Sequence, residues 1–209
     1  MARLTSRRRL LALAAAAAIP ALAGCDRGPV GQLLGRAPAF KAIDITGADY
    51  ARELALPDPS GRVRTLEEFR GKVAVVFFGF TQCPDVCPTT MAELAEVKRT
   101  LGPLGEDVVG IFVTVDPKRD VPELLQAYVT AFDPGFVALR GDEAQTRATA
   151  KAFKVFYAKV PGRTEGSYTI DHTAGSYVFD REGRIRLFTR HGTGPEALAH
   201  DLRILLEAH

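Results

Sequence analysis

Two stretches of the chain consist almost entirely of β-branched and aromatic residues, from Val73 to Phe78 and from Val108 to Val115. Continuous apolar runs of this kind are typical of strands covered on both faces, as in a parallel sheet. A shorter strand is predicted over Val137 to Leu139. These three segments predict the centre of a β-sheet.

The apolar spacing becomes helical between these strands. After the first strand, a stripe of apolar residues predicts a helix that Gly102-Pro103 ends: Met91, Leu94, Val97 and Leu101. Further helices are predicted over residues 122–132, 142–153 and 195–206. Asp142 opens the second of these and Pro195 the third.

Short β elements are predicted on either side of this alternating region. Strands over 40–45 and 54–56 precede it, and a turn then leads to Val63 and to a brief helix over 66–69 that Thr65 can cap. A hairpin over 177–188 follows it. This order is typical of a thioredoxin-like α/β fold, with a central sheet flanked by helices and an N-terminal β extension. A doubly wound nucleotide-binding fold has a similar pattern, but neither of its glycine-rich phosphate motifs is present.

The first 24 residues resemble an export signal, with basic residues, an apolar run over 10–19 and small residues before Cys25. The apolar run is shorter than the roughly 20 residues of a transmembrane helix. Leu22-Ala23-Gly24-Cys25 resembles a bacterial lipobox, so we expect cleavage before Cys25 and a lipid on this cysteine. A plain secretory signal and an uncleaved anchor are the alternatives. Both the Sec and the twin-arginine export routes remain open.

Residues 25–39 are rich in Gly and Pro, which predicts a flexible membrane tether ahead of one domain over 40–209. Asp26 resembles the residue that retains lipoproteins in the inner membrane, although it can equally be an ordinary linker residue. The expected location is therefore the cell envelope, anchored to the inner membrane with the domain facing the periplasm.

The composition agrees with this organisation. The chain has 209 residues, of which 46% are hydrophobic and 25% charged, as in a globular domain. Removal of residues 1–24 takes away four of the 27 Lys and Arg and none of the 25 Asp and Glu, which changes the net charge from +2 to −2. The basic excess belongs to the signal, and no nucleic-acid partner is expected.

The candidate chemistry begins where the first buried strand ends. Cys83 and Cys87 lie four positions apart in a loop that runs into a helix, with Pro88 in its first turn. A helix start favours thiolates, which both metal binding and disulfide exchange require. Helical spacing places the two Cβ atoms about 5–6 Å apart, whereas a disulfide needs about 3.5–4.5 Å. The spacing leaves both uses open, and two inert buried cysteines are the third alternative.

A third metal ligand must come from another part of the chain. His209 is the last residue, His200 falls on a predicted solvated helix face, and His191 fits a loop role. His172 is different, because it lies in the predicted loop before the strand at Tyr177. In a thioredoxin-like fold this loop lies against the cysteine loop, so His172 is the expected third ligand.

Three separated motifs occur in one order: Phe80 to Pro88, Val115 to Pro122, and Asp171-His172 followed by the hairpin. Together they resemble the SCO/SenC family of copper proteins from about residue 54 to residue 206. The resemblance implies a copper metallochaperone that delivers copper to the binuclear copper centre of cytochrome c oxidase. It implies Cys83, Cys87 and His172 as the metal ligands. The implied partners are the copper-site subunit of the oxidase, a thiol reductant protein and, through the lipid, the membrane.

Two thiolates and one imidazole suit three-coordinate Cu(I), whereas Cu(II) requires further ligands and structural zinc usually has four protein ligands. The oxidation state of the copper stays open. Asp85 can tune the thiols, contact a partner or simply form the turn. Asp116 and Asp120 are expected to cap the second helix and fix its loop, and Met91 to pack in the core.

The sequence departs from redox thioredoxins in its C-x3-C spacing and in the lack of proline over residues 171–176. Both features weaken the interpretation as a general reductase without excluding it, and a Cys83–Cys87 disulfide remains geometrically possible. The alternatives are a thiol-disulfide oxidoreductase that reduces the cysteines of the oxidase, and a redox sensor. Whether the protein is an enzyme therefore stays open, with a metallochaperone favoured.

Overall fold

A computed structural model describes residues 39–208. The predicted signal peptide, Cys25, Asp26, His209 and all but the last residue of the predicted tether lie outside the described residues. Within residues 39–208, none of the helices has the length and apolar character to cross a membrane.

The described part of the chain contains ten strands and four α-helices. The strands are β1 (Ile43–Asp44), β2 (Ala55–Pro57), β3 (Val63–Thr65), β4 (Val73–Gly79), β5 (Val108–Thr114), β6 (Val137–Leu139), β7 (Tyr157–Pro161), β8 (Tyr168–His172), β9 (Gly175–Phe179) and β10 (Ile185–Arg190). The α-helices are α1 (Val86–Thr100), α2 (Pro122–Thr130), α3 (Glu143–Ala152) and α4 (Pro195–Glu207), with 3-10 helices over Leu66–Phe69 and Gly102–Asp107.

Six strands form one sheet in the order β1-β10-β9-β4-β5-β6, and β2–β3 and β7–β8 form two separate pairs. The strand β4 is parallel to β5 but antiparallel to β9. The prediction of a parallel environment is therefore right for one side of β4 and wrong for the other. A central sheet with flanking helices and N-terminal strands confirms the predicted fold class.

The two apolar runs form the centre of this sheet, and every residue of β4 and β5 is buried. Because successive side chains of a strand point to opposite faces, Phe77 and Phe78 pack into the core on opposite sides of the sheet. Phe77 packs with Phe112, and Phe78 packs with Phe153 at a centroid distance of 5.1 Å. Helices α1 and α4 contact each other. The side chains at the end of β4 thus pack on both faces of the sheet.

The β7–β8 hairpin was not predicted, and it changes the position of His172. The sequence predicts a loop there, whereas His172 is the last residue of β8 and pairs with Tyr157 of β7. The sequence pattern does not predict this hairpin, because most of its residues are partly or fully exposed and no apolar run marks either strand.

The first residues of the helices can be compared with the capping residues expected from the sequence. Asp142 opens its helix, as predicted, and it accepts a hydrogen bond from the backbone N–H of Gln145 in a capping box. The predicted caps at Asp116 and Asp120 are wrong, because α2 begins after Val121 without a side-chain cap. Thr65 likewise precedes its 3-10 helix without a capping bond.

The N-terminal strand is attached to α4 through Asp201, whose side chain is fully buried. Its carboxylate accepts hydrogen bonds from the backbone N–H of Lys41 at 2.9 Å and from that of Ala42 at 2.7 Å. An acidic side chain on the last helix therefore satisfies the backbone at the start of the described chain.

We expect Asp201→Ala to lower the free energy of unfolding by about 1–3 kcal/mol, because it leaves two backbone N–H groups without an acceptor. Chemical denaturation of the metal-free protein measures this. Arg203→Ala on the exposed side of the same helix is the control, with an expected change within about 0.5 kcal/mol. Equal effects of the two substitutions would contradict the role of Asp201.

Candidate metal centre

The two cysteines lie at the junction of β4 and α1. Cys87 is in the first turn of α1 and is fully buried, whereas Cys83 lies in the preceding loop and is half-buried. The backbone N–H of Cys87 donates to Cys83 Sγ at 3.4 Å. Both cysteines are free thiols. The turn into the helix therefore brings the two sulfur atoms to one place, one of them closer to solvent.

The strand β8 brings His172 to the cysteines, with Nε2 at 3.4 Å from Cys87 Sγ. Its Nδ1 lies 3.1 Å from the carbonyl oxygen of Thr173. That carbonyl can only accept, so it favours the tautomer with the proton on Nδ1 and the lone pair of Nε2 directed at the sulfur. The rings of Phe77 and Phe80 pack edge-on against the imidazole at 5.8 and 5.9 Å. The aromatic contacts and the hydrogen bond orient the ring.

The three ligand atoms lie within 4.8 Å of one another. With zinc-like bond lengths of about 2.3 Å to sulfur and about 2.0 Å to nitrogen, a trigonal ion places sulfur and nitrogen about 3.7 Å apart and two sulfurs about 4.0 Å apart. The 3.4 Å between Cys87 Sγ and His172 Nε2 is close to the first value. Cys83, Cys87 and His172 can therefore hold a metal ion after small side-chain movements.

Burial favours the neutral forms of Cys87 and His172 in the metal-free protein. It raises the pKa of the Cys87 thiol, and the hydrogen bond with Cys83 adds to this effect. Burial also lowers the pKa of His172. The expectation that the helix start favours a thiolate is therefore wrong for Cys87, because the loss of hydration outweighs the helix dipole. Binding of a metal must release the thiol proton.

Gly79, the last residue of β4, makes room for the buried thiol. A Cβ atom at this position would lie 2.9 Å from Cys87 Sγ and 2.8 Å from the ring of Phe77. Both distances are shorter than van der Waals contact. The missing side chain therefore allows Cys87 to approach the sheet.

The loop over residues 116–120, here called the aspartate loop, fixes the start of the cysteine loop. The buried Asp120 carboxylate accepts hydrogen bonds from the Thr81 backbone N–H at 3.1 Å and from the Thr81 hydroxyl at 2.6 Å. It also accepts from the Thr114 hydroxyl at 2.5 Å. Thr81 precedes Cys83 by two residues, so Asp120 attaches the cysteine loop to the end of β5.

The aspartate loop also holds the start of β8, the strand that carries His172. Arg119 stacks on the ring of Tyr168 at 3.7 Å and donates to the Tyr168 carbonyl oxygen at 2.8 Å. The Tyr168 hydroxyl donates to Asp116 at 3.0 Å, and Arg119 is also paired with Asp116. One loop therefore positions both ligand-bearing segments. Sequence reasoning expected these acids to cap the helix and to fix its loop; the loop is fixed, through Asp120 and Thr114, but the attachment of the two ligand-bearing segments was missed.

The other sequence candidates lie outside the three-residue cluster. Met91 is 1% exposed and packs in the core, as expected. Asp85 is exposed and accepts a 3.4 Å hydrogen bond from the Thr89 hydroxyl. His191 and His200 are exposed, the second beside Asp201.

The family model described as SCO1/SenC matches residues 44–207. The chain belongs to the SCO1/SenC family. A SCO2-like protein of Rickettsia felis is 35% identical over 159 residues, which cover 76% of each chain. The SCO2-like protein RP587 of Rickettsia prowazekii is 39% identical over 130 residues, or 62% of this chain and 63% of the relative.

Solved structures agree with this membership and confirm the thioredoxin-like fold. Bradyrhizobium japonicum ScoI with copper bound is 39% identical, with a TM-score of 0.66 over 73% of this chain and 97% of that one. The apo Sco1 protein from Thermus thermophilus is 38% identical, with a TM-score of 0.72 over 82% of this chain and 99% of that one. The resemblance inferred from the sequence motifs is therefore confirmed.

In this SCO1/SenC chain we expect Gly79→Ala to weaken Cu(I) binding and to lower the free energy of unfolding by about 1–3 kcal/mol, because the methyl group displaces Cys87 Sγ. Competition with a Cu(I) chelator and chemical denaturation measure the two effects. Gly135→Ala is the matched control, since its Cβ would meet only the ends of two flexible side chains. Unchanged Cu(I) affinity in Gly79→Ala would refute the packing role.

The lowered pKa of His172 predicts a pH effect on stability. Its ordinary value is 6.5, so as the pH falls through that value the unfolded chain takes up a proton at His172 before the folded chain does. Stability of the metal-free protein therefore decreases at acidic pH. Denaturation at about pH 7.5 and about pH 5 should show a smaller decrease for His172→Gln than for the wild type and for His191→Gln. If His172→Gln loses as much stability at acidic pH as the wild type does, the imidazole is not held neutral by burial.

Proposed function

We propose that this chain binds copper through Cys83, Cys87 and His172 and delivers it to the binuclear copper centre of cytochrome c oxidase during assembly. The observation that carries this proposal is the approach of two sulfur atoms and one imidazole nitrogen to within 4.8 Å. Two soft ligands and one borderline ligand match the preference of Cu(I). The copper bound in Bradyrhizobium japonicum ScoI supports the choice of metal.

The unequal exposure of the two cysteines suits transfer to a partner. Cys83 is half-buried and can meet an incoming thiolate, whereas Cys87 is fully buried. A thiolate of the oxidase copper-site subunit would replace Cys83 first, and the remaining ligands would follow. The site must be reduced before it can accept copper, so a thiol reductant protein is the second proposed partner.

We also propose that a lipid on Cys25 anchors the chain to the inner membrane, with the domain facing the periplasm. The lipobox-like residues 22–25 and the Gly/Pro-rich segment after them support this location. The tether would allow the copper site to reach a membrane-embedded oxidase.

We expect the reduced protein to bind one Cu(I) ion, and His172→Ala to weaken that binding by at least about tenfold, or about 1.4 kcal/mol. Anaerobic titration against a Cu(I) chelator measures stoichiometry and affinity, and the visible and EPR spectra of the Cu(II) form report the imidazole ligand. His191→Ala controls for the loss of a histidine elsewhere. Absence of stoichiometric copper, or an unchanged affinity and spectrum in His172→Ala, would rule out this site.

A thiol-disulfide oxidoreductase is the second candidate, favoured by an accessible Cys83 beside a buried Cys87. In that reaction the two thiols form a disulfide, and their two electrons and two protons reduce a disulfide of the partner. A redox sensor would use the same change without a dedicated substrate. Insulin reduction that survives His172→Ala, in a protein that takes up no copper, would favour the oxidoreductase over the copper chaperone.

A further inference from the structure

A groove of about 310 Å³ runs between β8 and the cysteine loop. One wall is formed by residues 169–172 of β8, including His172, and the other by Phe80 and the segment that follows it, including Cys83. The groove therefore opens beside two of the three ligands. Its β8 wall has a backbone edge that the β7 strand does not use.

The pairing of the hairpin shows which backbone groups face the groove. Gly162 N–H donates to the Ser167 carbonyl oxygen at 2.8 Å, and Thr173 N–H donates to the Phe156 carbonyl oxygen at 2.9 Å. In an antiparallel pair, residues alternate between bonding to the partner strand and facing away from it. Odd-numbered residues from 167 to 173 thus bond towards β7, and residues 168, 170 and 172 direct their N–H and C=O groups to the opposite edge.

Two independent contacts agree with this alternation. Pro161, which has no N–H, lies opposite Tyr168, at a position where the hairpin requires no bond. The Tyr168 carbonyl oxygen accepts a hydrogen bond from Arg119, which lies on the side away from β7. Among residues 39–208, no side chain or loop backbone hydrogen-bonds to the N–H or C=O groups of Ile170 or His172.

We propose that an extended, cysteine-containing segment of the copper-exchanging partner docks on this free edge as an added strand. The inference rests on the proposed function, because it assigns the docking mode of the partner. Paired strands lie about 4.8 Å apart, so the added backbone would occupy the groove and pair with the N–H and C=O groups of the half-buried His172, whereas Ile170 is buried. Main-chain hydrogen bonds supply this kind of docking, and alternate side chains of the guest strand supply specificity. One of those side chains would be the thiol that meets Cys83.

The charged residues of the groove indicate the charge of the partner segment that can dock there. Asp85 and Asp171 are exposed on its opposite walls, and no Lys or Arg lines it. Arg119 of the aspartate loop contacts the Phe80 ring of the groove, but it is engaged by Asp116 and Tyr168. A neutral or basic segment therefore fits better than an acidic one.

The test attaches a peptide to Cys83 through a disulfide and measures hydrogen exchange at the backbone amides of β8. The full chain with Cys25→Ser and Cys87→Ser retains one thiol, on Cys83. The probe is a capped pentapeptide with a central cysteine, two valines and two lysines, activated as a 2-thiopyridyl disulfide. The Cys83 thiolate attacks the sulfur of the peptide cysteine, a new S–S bond forms, and 2-thiopyridone leaves with the electron pair of the broken bond. The same protein carrying a mercaptoethanol disulfide is the matched control.

We expect amide hydrogen exchange at His172 to be at least about tenfold slower in the peptide adduct than in the mercaptoethanol adduct, since only the peptide offers backbone acceptors. Thr169 and Asp171, whose N–H groups bond to β7, should exchange alike in both. Equal rates for His172 in the two adducts would overturn the docking mode. Cu(I) titration of the wild-type chain needs no peptide, so loss of the docking mode and loss of copper binding are separate results.

Discussion

The hydrogen bonds of the buried Asp120 carboxylate are the contacts on which the site depends most. The ligands come from two segments that are 85 residues apart, between Cys87 and His172, and neither segment contacts the other through a regular strand pairing. Asp120 attaches the cysteine loop to the end of β5, and Asp116 and Arg119 attach β8 to the same loop. A third segment that contributes no ligand therefore holds both ligand-bearing segments, and Phe77 and Phe80 contact the imidazole directly.

The interior of the fold also determines the protonation state of the site. A thiol and an imidazole are kept neutral because Phe77, Phe80 and the end of β4 exclude water from them. A neutral imidazole is ready to coordinate, whereas the thiol must lose its proton. Soft thiolate ligands favour a soft ion such as Cu(I), and any bound cation leaves less net charge to bury than two thiolates alone.

Much of this arrangement could be predicted from the sequence, because strong local signals carry it. The apolar runs identified β4 and β5, and the C-x3-C motif and the segment around His172 identified the ligand candidates. The hairpin β7–β8 could not be predicted, since its exposed residues have no apolar period. The role of Asp116 and Asp120 was equally hidden, because a carboxylate before a helix looks like a cap until its long-range partners are known. The raised pKa of Cys87 depends on burial that no local pattern reports.

The separation of the β7–β8 pair from the six-stranded sheet has a kinetic consequence. A two-stranded unit has little stability of its own, and this one depends on Tyr168 and on the chain that continues into β9. Local opening of the pair would withdraw His172 while Cys87 stays on α1 and Cys83 stays in the loop that Asp120 attaches to β5. Separation of the imidazole from the two thiols would therefore require no global unfolding.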